Sequence, residues 1–123
     1  MKKAYSFNFK VARAPGAAGA GRAVRALARA GVEAALRGGT LIMEGIAVPL
    51  EAPVAVGAKV VPGSHREVAL ARALLVMQSL GYEASPRGVR WGALQAACKE
   101  LQVMGFECDL EGVAPTRTDK EVI

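Results

Sequence analysis

The stretch Ala4-Tyr-Ser-Phe-Asn-Phe-Lys-Val-Ala12 puts Tyr5, Phe7, Phe9 and Val11 on one face and Ser6, Asn8 and Lys10 on the other. Alternation at period two is that of a half-buried strand, which needs neighbouring strands and a layer of side chains over its apolar face. Pro15 and Gly16 end it. The next segment, Ala17 to Ala30, repeats at helical spacing and breaks at Gly31. A switch of period with no linker between the two segments commits the chain to a mixed α+β fold.

Further along, Val32 to Arg37 reads as a short helical turn before Gly38-Gly39. Thr40 to Leu50 and Val54 to Val61 read as two strands of a hairpin, with Pro49, Pro53 and Gly57 confining them to edges, bulges or turns. Ser64-His65-Arg66-Glu67 has the Ser-x-x-Glu form of a capping box, in which Ser64 and Glu67 satisfy reciprocal backbone donors. The helix it opens runs to Leu80 and stops at Gly81. After a short strand, Ser85 as cap and Pro86 at the first helical position open a helix that ends near Met104, with Gly105 behind it. A last strand covers Phe106 to Leu110. Leu80-Gly81-Tyr82 and Met104-Gly105-Phe106 use one exit twice, a glycine followed by an aromatic residue.

At 123 residues the chain is sized for one compact domain, residues 1–123. The first six elements match a β-α-β-β-α-β sandwich, an antiparallel or mixed sheet with helices on one face, extended by a C-terminal helix and strand. A different division makes residues 64–123 a winged-helix-like unit. Aromatic residues are only 5% of the chain, so its core rests on Val, Leu, Ile and Met. No apolar run approaches the roughly 20 residues that span a bilayer, and Met1-Lys2-Lys3 leads into Tyr-Ser-Phe-Asn-Phe rather than an apolar leader. The expectation is a cytoplasmic protein with no membrane partner. One Asn and an abundance of Arg, Ala and Glu resemble proteins of hot environments or GC-rich genomes.

Charge is unevenly placed. Residues 1–43 carry eight basic side chains against Glu33 alone, a net +7, while residues 44–123 carry eight basic and ten acidic, a net −2, so the basic character of the chain belongs to its N-terminal third. At 100° per residue, Arg22, Arg25 and Arg29 fall within a sector of about 60°, with Ala20, Val24, Leu27 and Gly31 opposite. Such a helix shows a basic stripe outward. Arg22 also lies near the N-terminus, where the helix dipole disfavours a cation and favours an anion. Ser85-Pro86-Arg87-Gly88-Val89-Arg90-Trp91 is a second basic feature, in which Arg87 and Arg90 flank an aromatic face on which a base could stack. A solvated arginine face and a Trp91 that anchors the core are the bland counterparts of both readings.

Motifs for catalysis are thin. Gly16, Gly19 and Gly21 have the glycine spacing of a phosphate-binding loop, but Arg22 stands where that loop needs Lys, and Ala23 where it needs Ser or Thr for magnesium. The G-x-G-x-x-G dinucleotide spacing is not met. Cys98 and Cys108 with the single His65 make no zinc pattern. Arg13-Ala-Pro-Gly-Ala-Ala18, between strand and helix, resembles the R-x-x-G-x-G/A acyl-CoA loop of GNAT acetyltransferases, and Leu74 to Glu83 resembles their later helix-to-strand segment. The resemblance covers about twenty-five residues and implies an acyl-CoA-type transferase fragment. Those enzymes carry several elements before the loop, and here only one strand precedes it.

The residues thus favour a non-enzymatic nucleic-acid-binding module, with no cofactor and no metal, contacting phosphates through Arg22, Arg25 and Arg29, with Arg87, Arg90 and Trp91 adding to the surface. A homo-oligomeric assembly protein that binds no nucleic acid is the alternative, and the acyl-CoA enzyme stands third.

Overall fold

In the computed structural model, which describes residues 3–51, 55–85 and 88–110, the elements run in the order β1 (Tyr5–Ala12), α1 (Ala20–Arg29), β2 (Ala34–Arg37), β3 (Thr40–Met43), β4 (Ile46–Pro49), β5 (Ala55–Val60), α2 (His65–Ser79), β6 (Glu83–Ser85) and α3 (Trp91–Val103). The class is α+β. Its strands form two antiparallel three-stranded sheets, ordered β5-β1-β6 and β2-β3-β4, in place of one.

β1 is the central strand of the first sheet, and its sequence alternation appears directly as burial: Phe7, Phe9 and Val11 are buried, while Ser6, Asn8 and Lys10 are exposed. It pairs with β5 from Tyr5 opposite Val60 to Lys10 opposite Ala55, and with β6 from Lys10 opposite Ser85 to Ala12 opposite Glu83. The partner expected for β5 was the segment from Thr40 to Leu50. That segment instead folds on itself, because Glu44 and Gly45 have φ of 50° and 80°. Positive φ at both central residues marks a type I′ turn, whose twist matches that of the strands it joins. Gly38 and Gly39, at φ 55° and 83°, make the same turn between β2 and β3. This is why Ala34–Arg37 is a strand and not the helical turn expected there. Glu44 carries the left-handed strain without being glycine, and it is held at both ends: its N–H donates to the Glu33 carbonyl at 2.9 Å and its carboxylate accepts the Glu33 N–H at 2.8 Å.

α2 is the element around which the others pack. Residues 69–77 along it are all buried, which is the pattern of a helix enclosed by neighbours and not laid on a surface. Leu70, Leu74 and Met77 are at most 1% exposed, and burying each such side chain contributes about 1.5–3 kcal/mol. α1, α3, β1 and β6 all contact it. The buried apolar residues of every layer form one continuous cluster.

All three helices leave by one device. At Gly31, Gly81 and Gly105, with φ of 74°, 94° and 94°, the next residue's N–H turns back to a carbonyl five residues earlier: Val32 to Leu27, Tyr82 to Met77 and Phe106 to Leu101, at 2.9–3.1 Å. This is the Schellman exit, and the apolar residue after each glycine is what the motif buries.

Two expected boundaries shift. Ser85 is not a helix cap but the last residue of β6, paired with Lys10, and α3 begins at Trp91 behind Arg90 with no side-chain cap; the expected first helical residue, Pro86, lies outside the described residues. The segment 106–110 forms no strand ladder among the described residues. It runs back along α3 with residues 106, 108 and 110 half-buried and 107 and 109 exposed.

Candidate nucleic-acid interface

α1 owes its helix to an alanine-rich run, and its inward line is Ala23, Leu27 and Ala30, each at 0% exposure. That line is rotated slightly from the expected Ala20, Val24, Leu27 and Gly31, of which only Leu27 is fully buried. Arg22, Arg25 and Arg29 are exposed on the other side. None of the three makes an ion pair with a carboxylate among the described residues. Arg29 lies over the ring of Phe106, whose centroid is 5.8 Å from the guanidinium carbon. Arg25 folds back over the first turn, its Nη1 3.7 Å from the place a Cβ on Gly21 would occupy. Helical side chains lean toward the N-terminus in this way. Two cations thereby gather at an end that holds no acid and whose Gly19 cap offers no side-chain acceptor.

The three glycines before α1 take three different conformations. Only Gly16 has a positive φ, Gly19 is extended, and Gly21 is inside the helix. Two of the loop's amides bond within the protein: Ala17 donates to the Ala14 carbonyl and Ala18 to Leu80, both at 3.0 Å. The Ala18 carbonyl accepts the Tyr82 hydroxyl at 2.6 Å.

The second basic feature comes apart. Arg87 lies outside the described residues. Arg90, expected at the surface, has its guanidinium turned inward, where Nε and Nη2 each lie 2.8 Å from the Glu67 carboxylate. The reason is Glu67 itself, a fully buried anion that needs a cation. Trp91, at the start of α3, is half-buried and packs on the core, the bland reading of its role. His65, the first residue of α2, is exposed.

Around Glu67 the sequence showed half of the arrangement. Ser64 Oγ accepts the Glu67 N–H at 3.2 Å as a capping box requires, while the Glu67 carboxylate reaches past Ser64 to the Gly63 N–H at 2.7 Å. The Tyr5 hydroxyl donates to the same carboxylate. Burial acts to raise the pKa of Glu67, but the hydrogen bonds from Arg90, Tyr5 and Gly63 outweigh it and hold the group below its ordinary value. Burial and the hydrogen bond to Glu67 push the Tyr5 hydroxyl far above its own. With all its acceptor positions filled, the cluster holds α2, β1 and the residue before α3 together.

An open groove of 810 Å³ runs over the outer face of β1, lined by Ser6, Asn8, Lys10, Ser85 and Gly88. Gly88 is required there: its N–H donates to the Asn8 carbonyl at 2.9 Å, and a Cβ would fall 2.5 Å from the Asn8 nitrogen. Among the described residues no three His, Cys, Asp or Glu side chains gather as a metal site, and no helix is long and apolar enough to cross a membrane. Compared with known proteins, the chain matches no family model, no curated sequence and no solved structure.

Proposed function

We propose that this protein is a small non-enzymatic module that binds nucleic acid through its phosphates, with Arg22, Arg25 and Arg29 of α1 as the contacting residues. One contrast carries the reading. The arginines that enter the interior, Arg72 and Arg90, are each paired with a carboxylate, whereas the three on α1 stand together in solvent with no carboxylate partner among the described residues. A row of solvent-facing guanidinium groups gives affinity for polyanions with little preference for sequence. Arg90 and Trp91 take no part in this surface, since the first is held by Glu67 and the second packs on the core.

The test is binding of labelled single- and double-stranded oligonucleotides across a salt series. Log affinity should fall with log salt by roughly 0.7–0.9 per phosphate neutralised, and changing Arg22, Arg25 and Arg29 together to Gln should flatten the slope by about two to three units. A parent that binds no polyanion at low salt sinks the proposal. In that case self-association is the better reading, favoured by the apolar end of α3, where Val103 is 84% and Met104 42% exposed.

A further inference from the structure

We propose that Cys98 and Cys108 are a thiol pair that closes to an intramolecular disulfide by exchange with a low-molecular-weight disulfide. The geometry comes from the exit of α3. Gly105 reverses the chain, the Phe106 N–H closes the turn on the Leu101 carbonyl at 2.9 Å, and the segment beyond runs back along the helix it has just left. Gln102 fixes the alignment: its side-chain nitrogen donates to the Cys108 carbonyl at 2.9 Å and lies 3.9 Å from the Cys98 sulfur, one helical turn before it. The alternation of the returning segment turns residue 108 toward the helix. Both thiols are free, and Cys98 is near enough to help push the Cys108 thiol up.

Exposure sets the order of events. Cys98 is 6% exposed and Cys108 is half-buried, so the incoming disulfide meets Cys108. The Cys108 thiolate, having given up its proton, attacks one sulfur of the reagent and expels a thiolate that leaves as thiol. Cys98, losing its proton in turn, attacks the Cys108 sulfur of the mixed disulfide and expels the second thiol. Two protein thiols are oxidised by two electrons, and one reagent disulfide is reduced to two thiols. Burial and the neighbouring Cys98 thiol push the Cys108 thiol up to about 12, so exchange is slow at neutral pH and quickens in alkali. Closure ties down the segment that seats Phe106 beneath Arg29.

The experiment exposes the folded chain to oxidised glutathione at pH 7 and, in parallel, at about pH 9, quenches with acid, and reads the intact mass, since reactivity tracks the thiolate. The expected product at the higher pH is a monomer about 2 Da lighter that takes up no iodoacetamide after unfolding. A retained glutathione, a cross-linked dimer or an unchanged mass overturns the pairing. Cys98→Ser should hold one glutathione at Cys108, and Cys108→Ser should stay unmodified while folded. The reverse pattern overturns the order of attack.

Discussion

Arg90 meets Glu67 through two parallel hydrogen bonds of 2.8 Å, and the carboxylate it meets has no solvent exposure at all. The pair joins the first turn of α2 to the residue before α3, and Tyr5 brings β1 into the same contact. Removing a partner from such a pair strands the other charge, which is far worse than never having had it.

Arg90→Met should therefore destabilise the fold by about 2–4 kcal/mol, a little under the usual cost for a fully buried pair because Arg90 keeps some access to water. Urea unfolding reads the loss. The same variant, studied where it is folded, should bind polyanions with an unchanged salt slope, which separates the role of Arg90 from that of the α1 arginines.

The acidity shifts of the cluster set a pH window. Glu67 is held below its ordinary value of 4.5, so its contribution is present above that value and is lost as pH falls through the depressed folded value. Tyr5 is raised above its ordinary value of 10.0, so its contribution is complete below that value and is lost as pH rises toward the folded one. Urea midpoints should be flat between these limits and fall on both sides. Glu67→Gln should shallow the acid limb and Tyr5→Phe the alkaline limb. An acid limb unchanged in Glu67→Gln refutes the assignment.

A second interior cation closes α1. Arg72, 3% exposed, donates from Nε to the Ala30 carbonyl at 2.8 Å and from Nη2 to the Gly31 carbonyl at 3.3 Å, and its Nη1 meets Glu100 at 2.8 Å. Its removal leaves the buried Ala30 carbonyl unsatisfied at the end of the helix. Arg72→Leu should cost about 2–4 kcal/mol in urea unfolding, whereas Glu100→Gln, losing a half-exposed partner, should cost under about 1 kcal/mol. Equal costs would place the stabilisation in the ion pair and not in the cap.

The range of each interaction decides whether it was legible in the sequence. Local signals survived into the fold: the alternation of β1, the Ser64 cap, and the glycine exits at Gly81 and Gly105, to which Gly31 adds a third of the same kind. Pairings did not, since β5 lies against β1 and not against its sequence neighbour. The turn at Glu44-Gly45 was hidden because Glu rarely takes positive φ, and it does so here only with the aid of Glu33. The exposed arginine face of α1 was legible from helical spacing. That Arg90 and Arg72 turn inward was not, because their partners Glu67 and Glu100 lie 23 and 28 positions away.

The last prediction concerns the pairing of Arg29 with Phe106. A guanidinium over a ring is held in place by the ring's electron density at a gain of about 0.5–1 kcal/mol at an exposed site. If α1 meets phosphates, that restraint means Arg29 loses less freedom on binding than Arg22 or Arg25, over which no ring stands among the described residues. Phe106→Leu keeps the charge and removes the support, so affinity should fall by roughly two- to five-fold while the salt slope stays that of the parent. Arg29→Gln removes the charge, so affinity should fall and the slope should flatten by about one unit. The two variants thus separate a cation that binds from a ring that positions it. If Phe106→Leu flattens the slope as Arg29→Gln does, the segment carrying Phe106 has rearranged and the ring does more than hold one side chain. If neither variant changes affinity or slope, Arg29 is a solvated end to the helix, and the contact with phosphate must lie with Arg22 and Arg25 alone.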